Sequence, residues 1–248
     1  MNFFFILNGK RIRNTMLIVL TAFVTAWFIY IENIARVPVF SSSEGPRAIY
    51  KGNQGVALTF NIGWGDEKAE PILDVLEKEG VKSVTFFLSG SWAERHQHIV
   101  EKINKLGYEI GILGYEYEDY TELSDAKIRQ DLLKAIDVFK KMNIKTKPIL
   151  RAPTGNFDMR LVKIANRLGY TVVHWSVDSK DWKNPGVNQI VENVRKAKKG
   201  DIILLHASDS AKQTAVALPK IIQTLKDEKF ITVTELIADA KVSSKEIE

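Results

Sequence analysis

Cysteine is absent from the 248 residues, which excludes a disulfide scaffold, a thiolate zinc site and a cysteine nucleophile. Histidine is scarce. His96, His98, His174 and His206 are the whole supply, so any imidazole-based metal site must be drawn from these four. Internal repeats and low-complexity tracts are missing too. With 45% hydrophobic and 26% charged residues, the composition argues against a disordered, collagen-like or coiled-coil chain. The net charge of +5 is diffuse: it suits an anionic lipid or wall surface and gives no reason to expect nucleic acid. A chain of this length buries a sizeable core in one large domain or two small ones.

What is present begins with Lys10, Arg11 and Arg13, followed by the uncharged run Met16–Ile31, relieved only by Thr21 and Thr25. As a helix this run is about 24 Å long, short of the ~30 Å hydrocarbon core. Ile12 and snorkelling basic side chains extend it, and Trp27 and Tyr30 stand where an outer aromatic belt would be. The expectation is a single-pass membrane signal-anchor over 16–34 behind a basic cytoplasmic segment over 1–15, with everything after Glu32 on the extracytoplasmic side. Two rivals stay open: a cleaved signal peptide ending near Val24-Thr25-Ala26, and a buried core helix. The lack of cysteine agrees with an extracytoplasmic bacterial protein.

Residues 35–47, rich in Pro and Ser, read as a linker, residues 48–240 as one domain, and 241–248 as a solvated tail. Within the domain, apolar strand-like runs fall at 56–60, 83–88, 109–113, 148–151, 171–177, 201–206 and 230–233. Helical stretches alternate with them at 67–79, 91–106, 158–168, 187–199 and 214–226. Another begins after Ser124, an N-cap, and carries Ile128, Leu132, Ile136 and Phe139 at helical spacing. Strands alternating with helices call for a parallel α/β sheet, as a closed or nearly closed (β/α) barrel or, second, a doubly wound open sheet.

In such folds the chemistry gathers at the carboxyl ends of the strands. Those ends carry Asn61-Ile62-Gly63-Trp64-Gly65-Asp66-Glu67, then Leu113-Gly114-Tyr115-Glu116-Tyr117, Arg151-Ala152-Pro153-Thr154-Gly155, Asp178-Ser179-Lys180-Asp181-Trp182 and His206-Ala207-Ser208-Asp209. One arginine, one histidine and several carboxylates thus converge on one rim, as in a hydrolytic or sugar-binding cleft. The alternative is that loops are polar whatever they do.

Arg151-Ala-Pro-Thr-Gly155, Asp178-x-x-Asp181-Trp182 and Leu204-Leu205-His206, in this order, resemble the later motifs of the polysaccharide deacetylase family (NodB homology, carbohydrate esterase family four). Thr59-Phe60-Asn61-Ile62 and Glu109-Ile110-Gly111-Ile112-Leu113 fall where its two earlier motifs belong. The likeness covers about residues 48–235. The Trp64–Glu67 and Ser91–His96 stretches add a similarity to the sporulation-associated branch of spore-forming Bacilli. The resemblance implies a distorted (β/α)7 barrel that removes N-acetyl groups from peptidoglycan or another N-acetylglucosamine-containing glycan. It also implies a divalent metal, usually zinc, on one Asp and two His, an Asp base and a His acid, and a place on the cell-wall or forespore-envelope side.

This sequence departs from that pattern at the metal. The family's T-F-D-D reads Thr59-Phe60-Asn61-Ile62, so the base position holds an amide and a ligand position holds a hydrocarbon. The H-[ST]-x-x-H pair reads Leu113-Gly114-Tyr115-Glu116-Tyr117: Leu113 cannot ligate, and Tyr117 would have to lose a proton with a pKa near 10. With Ile62, Leu113 and Tyr117 in the ligand positions, no cofactor is expected. The later motifs keep His206 as the acid, Arg151 and Asp178 as catalytic-cleft groups beside Asn61, and Trp64, Trp182, Asp181 and Pro153 for the substrate. The expected function is a membrane-anchored family member that binds N-acetylated glycan with its metal-dependent N-deacetylation lost or weak. The alternative is an active hydrolase using His206 with Asp66 or Asp178, without the Lewis acid.

Plainer readings stand beside these. Asn61 would also serve as a strand-end residue satisfying a turn. Arg151 and Asp178 would make a structural ion pair across the barrel mouth. His206 would sit well as a satisfied core histidine, His174 reads as core, and His96 and His98 as surface. Asp66 and Glu67 suit a helix N-terminus, the two tryptophans suit packing at the mouth, and the cations of 195–199 suit a solvated last turn.

Overall fold

A computed structural model describes residues 9–35, 47–238 and 243–244. The chain forms two compact units, Met1–Gly45 and Pro46–Glu248. Part of the expected basic segment 1–15, nearly all of the linker 35–47, and the tail 241–248 apart from 243–244 lie outside the described residues.

Among the described residues the first unit holds one helix, α1 (Gly9–Ala35), in which Thr21 Oγ1 donates to the Leu17 and Ile18 carbonyls and Thr25 Oγ1 to that of Thr21. The expected membrane span over 16–34 is not borne out: among the described residues no helix is long and apolar enough to cross a membrane. The physical reason lies in the length of the uncharged run, about 24 Å against the ~30 Å it would have to fill.

The second unit alternates β1 (Ile49–Lys51), β2 (Ala57–Ile62), α2 (Ala69–Lys78), β3 (Thr85–Leu88), α3 (Gly90–Arg95), α4 (Gln97–Lys105), β4 (Glu109–Ile112) and α5 (Asp125–Lys141). It continues with β5 (Ile149–Leu150), α6 (Met159–Arg167), β6 (Thr171–Val172), β7 (Val177–Asp178), α7 (Val187–Val194), β8 (Ile202–His206), α8 (Thr214–Thr224), α9 (Val233–Ala238) and β9 (Ser243–Ser244). Strands β2 to β8 make one parallel sheet in the order β6-β5-β4-β3-β2-β8-β7, while β1 pairs antiparallel with β9.

The sheet curls without closing, since β6 and β7 at its two edges do not pair. One strand is expected over 171–177. The chain instead leaves β6 at one edge and rejoins the sheet as β7 at the other. Residues 173–176 cross the gap, the His174 amide donating to Ile49 O at 2.7 Å and the Ser176 amide to Ile202 O at 3.0 Å. The barrel is therefore a half-barrel strapped by its own chain.

Strand alternation sorts the core. On β2, Leu58, Phe60 and Ile62 join the cluster beneath the helices, whereas Ala57 joins the inner cluster with Phe87, Leu113, Ile149, Val173 and Ile202. Thr59 and Asn61 share Ala57's parity and face inward. The strand expected over 230–233 survives only as a bridge from Phe230 to Val56. Beyond it the chain turns into α9, with the Thr232 amide donating to Glu235 Oε2 and the Glu235 amide to Thr232 Oγ1, a reciprocal helix cap. Ile231, Val233, Leu236 and Ile237 then pack into the inner cluster.

Candidate functional site

Arg151 follows β5 and is completely buried inside the barrel mouth. Its Nη1 donates to Thr59 Oγ1 and Asn61 Oδ1, both at 2.9 Å, Nη2 to His174 O at 3.0 Å, and Nε to Val173 O at 3.3 Å. The guanidinium lies 4.1 Å from the centre of the Phe87 ring. Every acceptor is neutral, so burial pushes the guanidinium's pKa down to about 9. The ion pair expected between Arg151 and Asp178 does not form. The Asp178 carboxylate instead accepts from the Lys180 amide at 2.8 Å, closing a local turn.

Asn61 is 4% exposed and stands beside His206 in the β2–β8 register. Arg151 has only donors, so the amide must turn Oδ1 toward it and Nδ2 away. Nδ2 has no protein partner, and among the described residues no fully buried side-chain nitrogen or oxygen lacks one. Nδ2 is therefore not fully enclosed and is left for a ligand.

His206 ends β8, 9% exposed, and its orientation is fixed by Asp181. Asp181 Oδ1 accepts from His206 Nδ1 at 2.8 Å and from the Trp182 amide, and Oδ2 accepts from the His206 amide at 2.7 Å and from Thr214 Oγ1. Asp181, expected at the substrate, is thus fully buried and spends its acceptors on holding His206. The bond to Nδ1 leaves Nε2 facing outward, as a lone pair in the neutral ring and as a donor in the protonated one. The left-handed backbone at Lys180 (φ 56°) turns the chain between the two carboxylates, sending Asp181 inward while Asp178 stays behind.

Around these groups the rim presents three large aromatic side chains, Trp64, Tyr117 and Trp182, each 45% exposed. Pro153, expected at the substrate, is buried where a Cβ on Gly114 would meet its ring. A Cβ on Gly63 would collide with Tyr117, so the phenol ring lies over the end of β2.

The three positions at which the resemblance implies a zinc ion do not fit one. Ile62 points under the helices, Leu113 is buried in the inner cluster, and burial pushes the Tyr117 hydroxyl above its usual pKa. Among the described residues no group of three His, Cys, Asp or Glu side chains stands together.

A second arrangement was not legible in the sequence. His96, expected on the surface, is buried: the helix expected over 91–106 breaks there, and its ring stacks on Trp92 with centroids 4.7 Å apart. His96 Nε2 meets Asp66 Oδ1 at 2.7 Å and Nδ1 meets Trp92 O at 2.9 Å. Asp209 accepts from the amides of Asp66, Glu67 and Lys68, which lowers its pKa, although burial opposes this. Together these contacts fix the loop that carries Trp64. Exposed His98 lies where the sequence puts it; His174, expected in the core, is half-buried, and burial lowers its pKa to about 4.

The chain is 35% identical over 204 residues to the uncharacterised protein YlxY of Bacillus subtilis, a match covering 79% of this chain but only 62% of that protein. It is 36% identical over 188 residues to a peptidoglycan-N-acetylglucosamine deacetylase of Bacillus cereus, covering 73% of this chain and 87% of the relative. Among solved structures, a carbohydrate esterase family 4 pseudoenzyme of Bacillus anthracis superposes with a TM-score of 0.71 at 33% identity, over 78% of this chain and 69% of that one. A mutant of the same pseudoenzyme, described as having restored enzymatic activity, matches with the same score and identity. Residues 49–173 match the family model for polysaccharide deacetylase, and the chain belongs to that family.

Proposed function

We propose that this member of the family binds N-acetylated glycan of the peptidoglycan type and has given up metal-dependent N-deacetylation. The observation that carries the reading is one cleft in which His206, Asp181 and three exposed aromatic rings stand intact while Ile62, Leu113 and Tyr117 occupy the ligand positions. Trp64, Tyr117 and Trp182 offer faces for pyranose rings. Asn61 Nδ2 and His206 Nε2 offer hydrogen bonds to the acetamido group. Arg151, fully buried, acts on a ligand only through Asn61.

The Bacillus cereus relative's substrate class and the pseudoenzyme standing of the Bacillus anthracis neighbour support the two halves of this reading. A role in sporulation and a position on the wall side of the cell envelope follow from the sequence resemblance and belong to the same proposal.

Unaided hydrolysis through His206 with Asp66 or Asp178 has less to stand on. Asp66 is engaged with His96 and Asp178 with its own turn, and such a route lacks a Lewis acid worth several kcal/mol. Co-sedimentation of the full chain with purified peptidoglycan tests the reading. Retention that N-acetylglucosamine oligomers compete away is the expected result, and a chain left entirely in the supernatant overturns it.

A further inference from the structure

Arg151 is a buried cation without an anion. Its donors end on a hydroxyl, an amide oxygen and two backbone carbonyls, none of which carries charge. Taking such a group out of water is tolerated when a counter-charge or an unusually rich set of hydrogen bonds compensates. Here the bonds are supplied and the counter-charge is not. Asn61 relays this imbalance to the cleft. Its oxygen is held by the guanidinium, which polarises the amide, and its Nδ2, not fully enclosed, is left for a ligand on the strand next to His206. The carboxylate that meets His206, Asp181, is turned away and saturated. What the cleft offers a ligand is therefore N–H donors backed by a positive charge.

We infer that the cleft takes a carboxylate group, held by Asn61 Nδ2, and by His206 Nε2 in the protonated ring, with the buried Arg151 as its counter-charge. The inference rests on the glycan-binding reading and names the chemical class of the ligand at that same site. Two sources carry this chemistry: a sugar acid within the glycan, or a free small acid. The neutral acetamido oxygen would use the same donors but would gain less from the charge behind them.

The test compares N-acetylmuramic acid, N-acetylglucosamine and sodium acetate as ligands of the full chain by titration calorimetry and protein NMR. The two sugars differ by a lactyl ether bearing one carboxylate. The Asn61→Asp variant preserves size and gives Arg151 a partner, so it is expected to fold, but it sets a carboxylate against the ligand's own. N-acetylmuramic acid is expected to bind about tenfold or more tightly than N-acetylglucosamine, with the difference erased in Asn61→Asp. Equal affinity for the two sugars, with acetate binding that Asn61→Asp abolishes, keeps the carboxylate site and assigns it to a free acid. Equal affinities without acetate binding overturn the inference and leave glycan binding standing. A chain that binds neither sugar nor peptidoglycan overturns both.

Discussion

Arg151 Nη1 stands 2.9 Å from Asn61 Oδ1, a cation resting on an amide where the family pattern has a carboxylate. The penalty for burying the guanidinium is already part of the folded state, so supplying the missing charge is a net gain here even though buried ion pairs often are not. Asn61→Asp is expected to stabilise the domain by about 1–2 kcal/mol, or ~2–4 °C in Tm for each kcal/mol, and to lift Arg151 back from about 9. Thermal unfolding at neutral pH checks this; a lower Tm in the variant would mean that the neutral acceptors already suffice.

Asp181 accepts from four donors, and its replacement separates two effects. Asp181→Ala strands the His206 amide, His206 Nδ1, the Trp182 amide and Thr214 Oγ1, and is expected to cost about 3–5 kcal/mol. Asp181→Asn keeps the shape and changes the tautomer. Nitrogen-15 NMR of the His206 ring is expected to find the proton on Nδ1 in the parent and a shift toward Nε2 in the variant. Unchanged ring nitrogens would remove Asp181 from the role of positioning His206.

Trp64 and Trp182 are half in water, so truncating either loses little packing. Trp64→Ala and Trp182→Ala are each expected to weaken peptidoglycan retention by about tenfold, near 1.4 kcal/mol, with Tm moving by less than ~2 °C. Full retention in the double variant would move the glycan off this rim.

His174 supplies the acid sensitivity. Its ring stacks on Trp175 with centroids 3.6 Å apart and contacts Tyr50 and Phe157, and burial depresses its pKa from 6.5 to about 4. A base that binds its proton more weakly when folded contributes stability that is full above pH 6.5 and is lost as the pH falls toward 4. His174→Phe, which keeps a ring in the stack, is expected to flatten the dependence of the urea midpoint on pH between 7 and 4.5. A parallel loss in parent and variant would assign the acid sensitivity elsewhere.

Much of the frame was legible because period and punctuation agreed. Ser124 caps α5 by accepting from the Lys127 amide, Asp158 caps α6, and the apolar runs over 56–60, 83–88, 109–113 and 201–206 lie in β2, β3, β4 and β8 within a few residues. The run over 171–177 misled because nothing in its composition marks a chain that leaves one sheet edge and rejoins at the other. That choice is made by the neighbours Ile49 and Ile202. The terminal element misled for a different reason: Phe230–Val233 has strand character, while Thr232-x-x-Glu235 forms a capping box that starts a helix within it.

The site was legible by type more than by role. Strand ends identified Asn61, Arg151 and His206, whose side chains do converge on the mouth. Spacing alone did not say which carboxylate of Asp178-x-x-Asp181 turns inward, since that depends on one left-handed residue at Lys180. His96 was hidden for a similar reason: a helix break directs its ring onto Trp92 and Asp66 rather than into solvent.

Acetate release decides whether the cleft persists without its metal chemistry. The full chain is incubated with peptidoglycan and with N-acetylglucosamine oligomers, with zinc or cobalt added, while glycan retention is followed in the same samples. Glycan is expected to be retained, with no acetate released above background. Metal-stimulated release that disappears in His206→Ala would contradict it, because a ligand set other than positions 62, 113 and 117 would then be holding the ion.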